Sequence, residues 1–147
     1  MQTVLRRANK CDLPKLIDFL DRANIGTEGI TSSVDYFVLM EDVNCNIKTT
    51  LGIEPLGEIG VLRSLVLTPG TSEEELLALF EQILHLAKEK EMKEIYLASN
   101  KQETVPFLEM LGFSYTGMKE LPKKIFESEH VSHLLTVDDL FFMKLFI

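Results

Sequence analysis

Residues 59–99 read IGVLRSLVLTPGTSEEELLALFEQILHLAKEKEMKEIYLAS, and the order of elements in this stretch decides the fold. Ile59 to Leu67 is an apolar run of strand length, and its end, Leu65-Val66-Leu67, reads as buried on both faces. Thr68-Pro69-Gly70 breaks it. Ser72 to Lys90 then sets Leu76, Phe80, Ile83, Leu84 and Ala87 along one helical face. Ser72 and Glu75 have the spacing of a capping box, in which hydroxyl and carboxylate each satisfy a backbone donor. Glu73 and Glu74 lie at the positive end of the helix dipole, Lys88 and Lys90 at the negative end. Glu94 to Ser99 returns as a strand. Strand, long helix, strand is a crossover connection, and it requires the two strands to run parallel.

Upstream, Val4 to Arg7 is extended, and Asp12 offers an N-cap with Pro14 in the first turn after it. Leu13, Leu16, Ile17 and Leu20 keep helical spacing until Asn24 and Gly26. Tyr36 to Met40, the turn-prone Asp42 to Asn46 and the alternating Ile47 to Ile53 predict an antiparallel hairpin, with Pro55 and Gly57 breaking the chain after it. Downstream, Thr104 caps a short helix through Met110, Gly112 is its left-handed stop, and Phe113 to Thr116 is extended. Leu140 to Ile147 is too apolar for a surface element, so it is a covered strand or one awaiting a partner. These elements predict an α/β (α+β) fold with a mixed, mostly antiparallel sheet and helices on both faces.

The chain has 147 residues, 46% hydrophobic and 26% charged, which suits a single globular domain over residues 1–147. Its net charge of −8 repels phosphate backbones and anionic lipid, so neither nucleic acid nor a membrane surface is an expected partner. A cationic amine would be drawn in. Cys11 and Cys45 form no metal-ligand spacing, no apolar run approaches a membrane span, and Met1 to Ala8 lacks a signal-peptide core. A reduced, cytoplasmic protein is expected.

Taken with this order of elements, three stretches resemble the GNAT N-acetyltransferase superfamily. Val4-Leu5-Arg6-Arg7-Ala8 with Asp12-Leu13-Pro14 is similar to the family's opening strand and helix start. Leu62 to Pro69 is similar to its fourth strand, and Phe107-Leu108-Glu109-Met110-Leu111-Gly112-Phe113 to its segment before the sixth strand. The resemblance implies acetyl-CoA as acyl donor and an amine of a small molecule or peptide as acceptor. It implies that Leu65, Val66 and Leu67 meet the pantetheine arm, that Gly70, Thr71 and Ser72 face the pyrophosphate, and that Asn100 completes the cofactor set.

Two departures stand against that pattern. The family's R/Q-x-x-G-x-G/A loop is replaced by Pro69-Gly70-Thr71-Ser72, about one residue shorter, with Glu73, Glu74 and Glu75 where an anion should land. Leu108 occupies the position of the family's proton-donating tyrosine, and leucine has no proton to give. Tyr96 and Tyr115 are the replacement phenols, and Glu58, at the start of the fourth strand near Glu54 and Arg63, is the candidate base. Gly26-Thr27-Glu28-Gly29 matches no phosphate-binding motif and falls where the family shapes its acceptor pocket.

His130 and His133 lie among Glu127, Glu129, Asp138 and Asp139 without a metal-binding motif, and read as surface histidines on an acidic loop; no metal is expected. His85 flanks the apolar stripe of the long helix. The rival to an enzyme is a noncatalytic binding module, with Leu140 to Ile147 pairing across a homodimer.

Overall fold

A computed structural model of the chain describes residues 3–147. In chain order the elements are β1 (Val4–Arg7), α1 (Leu13–Arg22), α2 (Ile30–Ser33), β2 (Phe37–Glu41), β3 (Ile47–Leu56), β4 (Ile59–Leu67) and α3 (Glu73–Glu89). There follow β5 (Glu94–Ser99), α4 (Val105–Leu111), β6 (Ser114–Thr116), α5 (Glu129–Leu134) and β7 (Phe141–Phe146). The strands form one sheet in the order β1-β2-β3-β4-β5-β7-β6. Every neighbouring pair is antiparallel except β4 and β5, which the α3 crossover makes parallel.

Alternation along the strands sorts the side chains between two faces. Val38, Met40, Leu51, Ile53, Leu62 and Leu97 join α3 and α4 in the largest core cluster, where α3 contributes Leu79, Phe80, Ile83, Leu86 and Ala87. On the opposite face Phe37 and Leu39 pack with Leu16 and Leu20 of α1 and Ile30 of α2. Gly52 lies beneath that packing, and a Cβ there would run into the Phe37 ring. Farther along the same face Val61, Tyr96 and Phe142 cover Leu121, Ile125 and Val131.

The C-terminal strand corrects the expected dimer contact. β7 lies between β5 and β6, with Met143 opposite Leu97 on one side and Tyr115 on the other. Over Phe142 to Lys144 both edges are therefore paired within the chain, which leaves no free edge there for a second copy. Its apolarity follows from this interior place, since Phe142 and Met143 are buried.

The first helix is capped differently from expectation. Asn9, not Asp12, accepts from the Cys11 N–H (2.9 Å) and opens a 3-10 turn, Lys10–Asp12, that leads into α1. Asp12 is drawn away by two other donors, the Asn9 N–H (2.8 Å) and a two-pronged bond from Arg6 (2.7 and 2.9 Å). Arg6 also binds Glu41 of β2 (2.8 Å), so one guanidinium ties β1, β2 and the start of α1 together. Thr104 likewise ends a 3-10 turn instead of capping α4, because its hydroxyl donates to Lys101 O (2.7 Å). Gly112 does stop α4 in the left-handed region, at φ 108°.

The Arg6 bond, and then the Asn9 N–H, hold the Asp12 carboxyl below its ordinary pKa, so the folded state favours the ionised form. D12N should cost roughly 1–3 kcal/mol at pH 7. That stabilisation is complete above the unfolded-state value near pH 3.9 and is lost as pH falls through the lower folded value. Urea melts of wild type and variant should therefore converge below about pH 4.

Candidate functional site

β4 and β5 pair only from Ile59 to Val61, against Glu94 to Tyr96, and then part. The cause lies on the other side of β4. Thr50 pairs with Val66 and Gly52 with Arg63, so Ser64 and Leu65 together oppose the single residue Leu51. This is a β-bulge, which bends the bulged strand and increases its twist. Ser64 takes the left-handed conformation (φ 58°) that the extra residue needs. It is held by the Thr50 hydroxyl donating to its carbonyl (2.8 Å) and by Arg63 Nε donating to its hydroxyl (3.1 Å).

The bulge also reverses which side chains face which way. Val66 turns toward the α1 side, while Leu65 and Leu67 turn toward α3 and the gap. The expectation that Leu65 to Leu67 is buried on both faces is thereby corrected: Leu65 is 42% and Leu67 41% exposed, because β5 is no longer beside them.

A cavity of about 320 Å³ fills the gap. Leu76 and Phe80 of α3 with Phe107 and Leu108 of α4 line it from the α3 side of the sheet, and Ala98, Arg63 and His130 also line it. Residues from both faces of the sheet thus meet in one slot. Leu108, where the family's tyrosine was sought, makes the α4 wall apolar.

Arg63 is almost fully buried, at 4% exposure, yet lines this slot. It donates to the carbonyls of Glu28 (2.6 Å) and Gly26 (3.1 Å), with the Glu28 carboxylate at 3.7 Å. The Gly26–Gly29 loop is therefore pinned to β4 beside the cavity. Burial lowers the Arg63 pKa and the nearby Glu54 and Glu28 charges oppose that, leaving a guanidinium that stays protonated.

His130 overturns the surface-histidine reading. It is half-buried and lines the slot, whereas His133 is exposed and lies 3.4 Å from Glu28 Oε1. Burial first, and then Arg63, push the His130 imidazole down to about 4, so it is neutral at pH 7. α5 is seated by Val131, fully buried, and by Ser128, whose hydroxyl accepts from the Val131 N–H and donates to Glu54. The nearest sequence signal was that capping serine; nothing in the spacing said what α5 would face.

At the head of α3 the capping box forms as expected: Ser72 N–H donates to Glu75 (3.0 Å) and Glu75 N–H to Ser72 Oγ (3.1 Å). Thr71 N–H and its hydroxyl both donate to Thr68 O, and Gly70 adopts φ 93° with open space where a Cβ would stand. Three loop amides are thus already engaged. The Glu73 and Glu74 amides in the first turn have no partner within the helix, and both residues are acidic.

The expected catalytic groups lie elsewhere. Tyr96 is buried on the face away from α3, donates to Glu94 (3.0 Å), and is pushed up to about 12 by burial and then by Glu94. Tyr115 is half exposed on β6, bonded to Gln102 (3.0 Å). Glu58 sits in the exposed turn before β4, 3.9 Å from Lys93. None of the three lines the slot. Asn100 is exposed just past β5, between the slot-lining Ser99 and Lys101. Among the described residues no cluster of three or more His, Cys, Asp or Glu could hold a metal ion, and no helix is long and apolar enough to cross a membrane.

R63K keeps the charge but lacks the planar fork that reaches both loop carbonyls. It should lower stability by about 1–3 kcal/mol in chemical denaturation. Amide hydrogen exchange should show the loss of protection concentrated in residues 26–29, with the core of α3 unaffected.

No protein-family model matches the sequence. The uncharacterized protein YwlB of Bacillus subtilis (strain 168) is 32% identical over 127 residues, covering 86% of this chain and 85% of that protein. Among solved structures, Rv2747 of Mycobacterium tuberculosis, crystallised with CoA and a second ligand, superposes with TM-score 0.74 at 18% identity, over 98% of this chain and 99% of that one. N-acetylglutamate synthase of Neisseria gonorrhoeae, complexed with CoA and N-acetyl-glutamate, gives TM-score 0.73 at 15% identity over 99% of this chain. This chain spans only 35% of that synthase. PaiA N-acetyltransferase of Thermoplasma acidophilum, in complex with CoA, gives TM-score 0.65 at 15% identity over the whole of both chains. With the bulged fourth strand and the parted pair in view, the chain belongs, together with YwlB, to a family built on the GNAT acetyltransferase fold.

Proposed function

We propose that the chain is an acyl-CoA-dependent N-acyltransferase that acetylates an amine of a small molecule or peptide. The observation that carries this reading is the open slot between β4 and β5, which a module that had lost CoA binding would have no need to keep for that ligand. From Leu62 onward β4 lacks a partner on the β5 side, so its N–H and C=O groups are free to bind an amide-bearing arm as an added strand would. Leu65, Leu67, Leu76 and Phe80 supply apolar walls for that arm. Bound there, acetyl-CoA supplies an activated acyl carbon, and backbone N–H groups near Leu67 polarise its carbonyl. The acceptor amine enters from the loop pinned by Arg63, attacks in its neutral form and forms the C–N bond as the C–S bond breaks.

The slot fits the thioester arm better than the α3 head fits a diphosphate. With the Thr71, Ser72 and Glu75 amides engaged, Gly70 and the Glu73 and Glu74 amides are left to meet it. Glu73 and Glu74 act against a bound anion. Donor affinity should therefore rest on the arm. The second reading, a noncatalytic binding module, is favoured by these same carboxylates and by Leu108.

Calorimetric titration with acetyl-CoA decides between the two. We expect binding that strengthens as salt rises from low to moderate, because screening relieves carboxylate repulsion. The E73Q/E74Q double variant should bind about two- to fivefold tighter per charge removed. Wild type should release thiol from acetyl-CoA with at least one amine among spermidine, tyramine, L-glutamate and a short peptide with a free N-terminus. No heat at millimolar acetyl-CoA with an unchanged melting temperature would remove the acyltransferase reading. That outcome would leave the noncatalytic module that has lost CoA binding.

A further inference from the structure

The slot is lined by three ionisable side chains: Arg63, Lys101 and His130. Arg63 has no lone pair for a proton, and its donors serve Ser64, Glu28 and Gly26. Lys101 is exposed just past β5, and as an ammonium it has no lone pair to accept a proton. Nearby carboxylates are committed: Glu54 accepts from Ser128, and Glu28 lies between Arg63 and His133. Tyr96, Tyr115 and Glu58 do not reach the cavity wall. His130 is left. It is half-buried, forms no hydrogen bond with another described residue, and stands beside Arg63 at the acceptor end.

We infer that His130 takes the proton from the attacking amine in this slot, an inference that rests on the acyltransfer reading above. As the C–N bond forms and the C–S bond breaks, the amine nitrogen passes its surplus proton to the free ring nitrogen of His130. The imidazolium returns that proton to the departing sulfur, so a neutral amide and a neutral thiol leave with no net proton gained or lost. Burial, Arg63 and His133 disfavour a lasting imidazolium and Glu28 favours it, so the ring is a weak base that holds the proton only in transit from nitrogen to sulfur. Ser128 and buried Val131 fix the helix that presents the ring.

The test combines footprinting with kinetics on the full-length protein. Diethylpyrocarbonate modifies neutral imidazoles, and mass spectrometry can follow His85, His130 and His133 separately. Saturating acetyl-CoA should protect His130 and leave His85 unchanged. H130Q and H130A should bind acetyl-CoA as wild type does, yet turn over the best probe amine roughly 100-fold more slowly. Added imidazole should restore part of the H130A rate, which a merely structural role would not allow. Full-rate turnover in both variants, or carbethoxylation of His130 unaffected by bound donor, overturns the role of His130 and leaves the acyltransferase reading standing. A wild type that binds no donor fails the acyltransferase reading itself, and this inference with it.

Discussion

Between Thr50 and Gly52, β4 carries one residue more than β3, and Ser64 absorbs the excess by entering the left-handed region. For a residue with a Cβ this conformation costs on the order of 1 kcal/mol. The cost is offset by bonds at both ends of the residue, from Thr50 to its carbonyl and from Arg63 to its hydroxyl. Three consequences follow from that one insertion. β4 bends away from β5, the facing of Leu65, Val66 and Leu67 is reversed, and Arg63 is left at the point of divergence with its guanidinium beside the cavity. A regular β4 would have continued pairing with β5 and closed the sheet.

Around this opening the charges are arranged unevenly. Beside the Gly26–Gly29 loop Arg63, Glu28, His130 and His133 come together, and the loop itself supplies the carbonyls that bind the buried cation. The head of α3 is acidic, with Glu73, Glu74 and Glu75 in its first turn. Those carboxylates stabilise the helix by the same dipole that would otherwise attract an anion. The loop has therefore been organised for the stability of α3 more than for a diphosphate. The apolar walls of the slot, Leu65, Leu67, Leu76 and Phe80, carry no such charge.

The elements were largely legible because their signals are local. The S-x-x-E box, the apolar stripe of α3 and Gly112 at the end of α4 each act within a turn or two of chain, and the structure contains all three. Caps failed where a distant group competed. Asp12 has the right chemistry for an N-cap, but Arg6 and the Asn9 N–H claim its carboxylate. The apolarity of the C-terminal strand left it either covered or awaiting a partner, and the structure covers it. Its place between β5 and β6 depended on pairing across 45 residues or so of intervening chain, which no local pattern encodes.

The site followed the same division. Sequence by itself determined the crossover, the acidic head of α3 and the glycine loop ahead of α2, because each is a matter of residue type and short spacing, and the resemblance to the family marked Leu108 as standing where a tyrosine is expected. Only the tertiary structure decided that β4 leaves β5 after Val61 and that Arg63 is buried against the Gly26–Gly29 loop. It also placed His130 on the cavity wall while Tyr96, Tyr115 and Glu58 stayed outside it. A side chain's periodicity reports which face of its own element it occupies. What that face meets is set by register, by a single bulge and by helices that arrive from 60 or more residues away, as α5 does at β4.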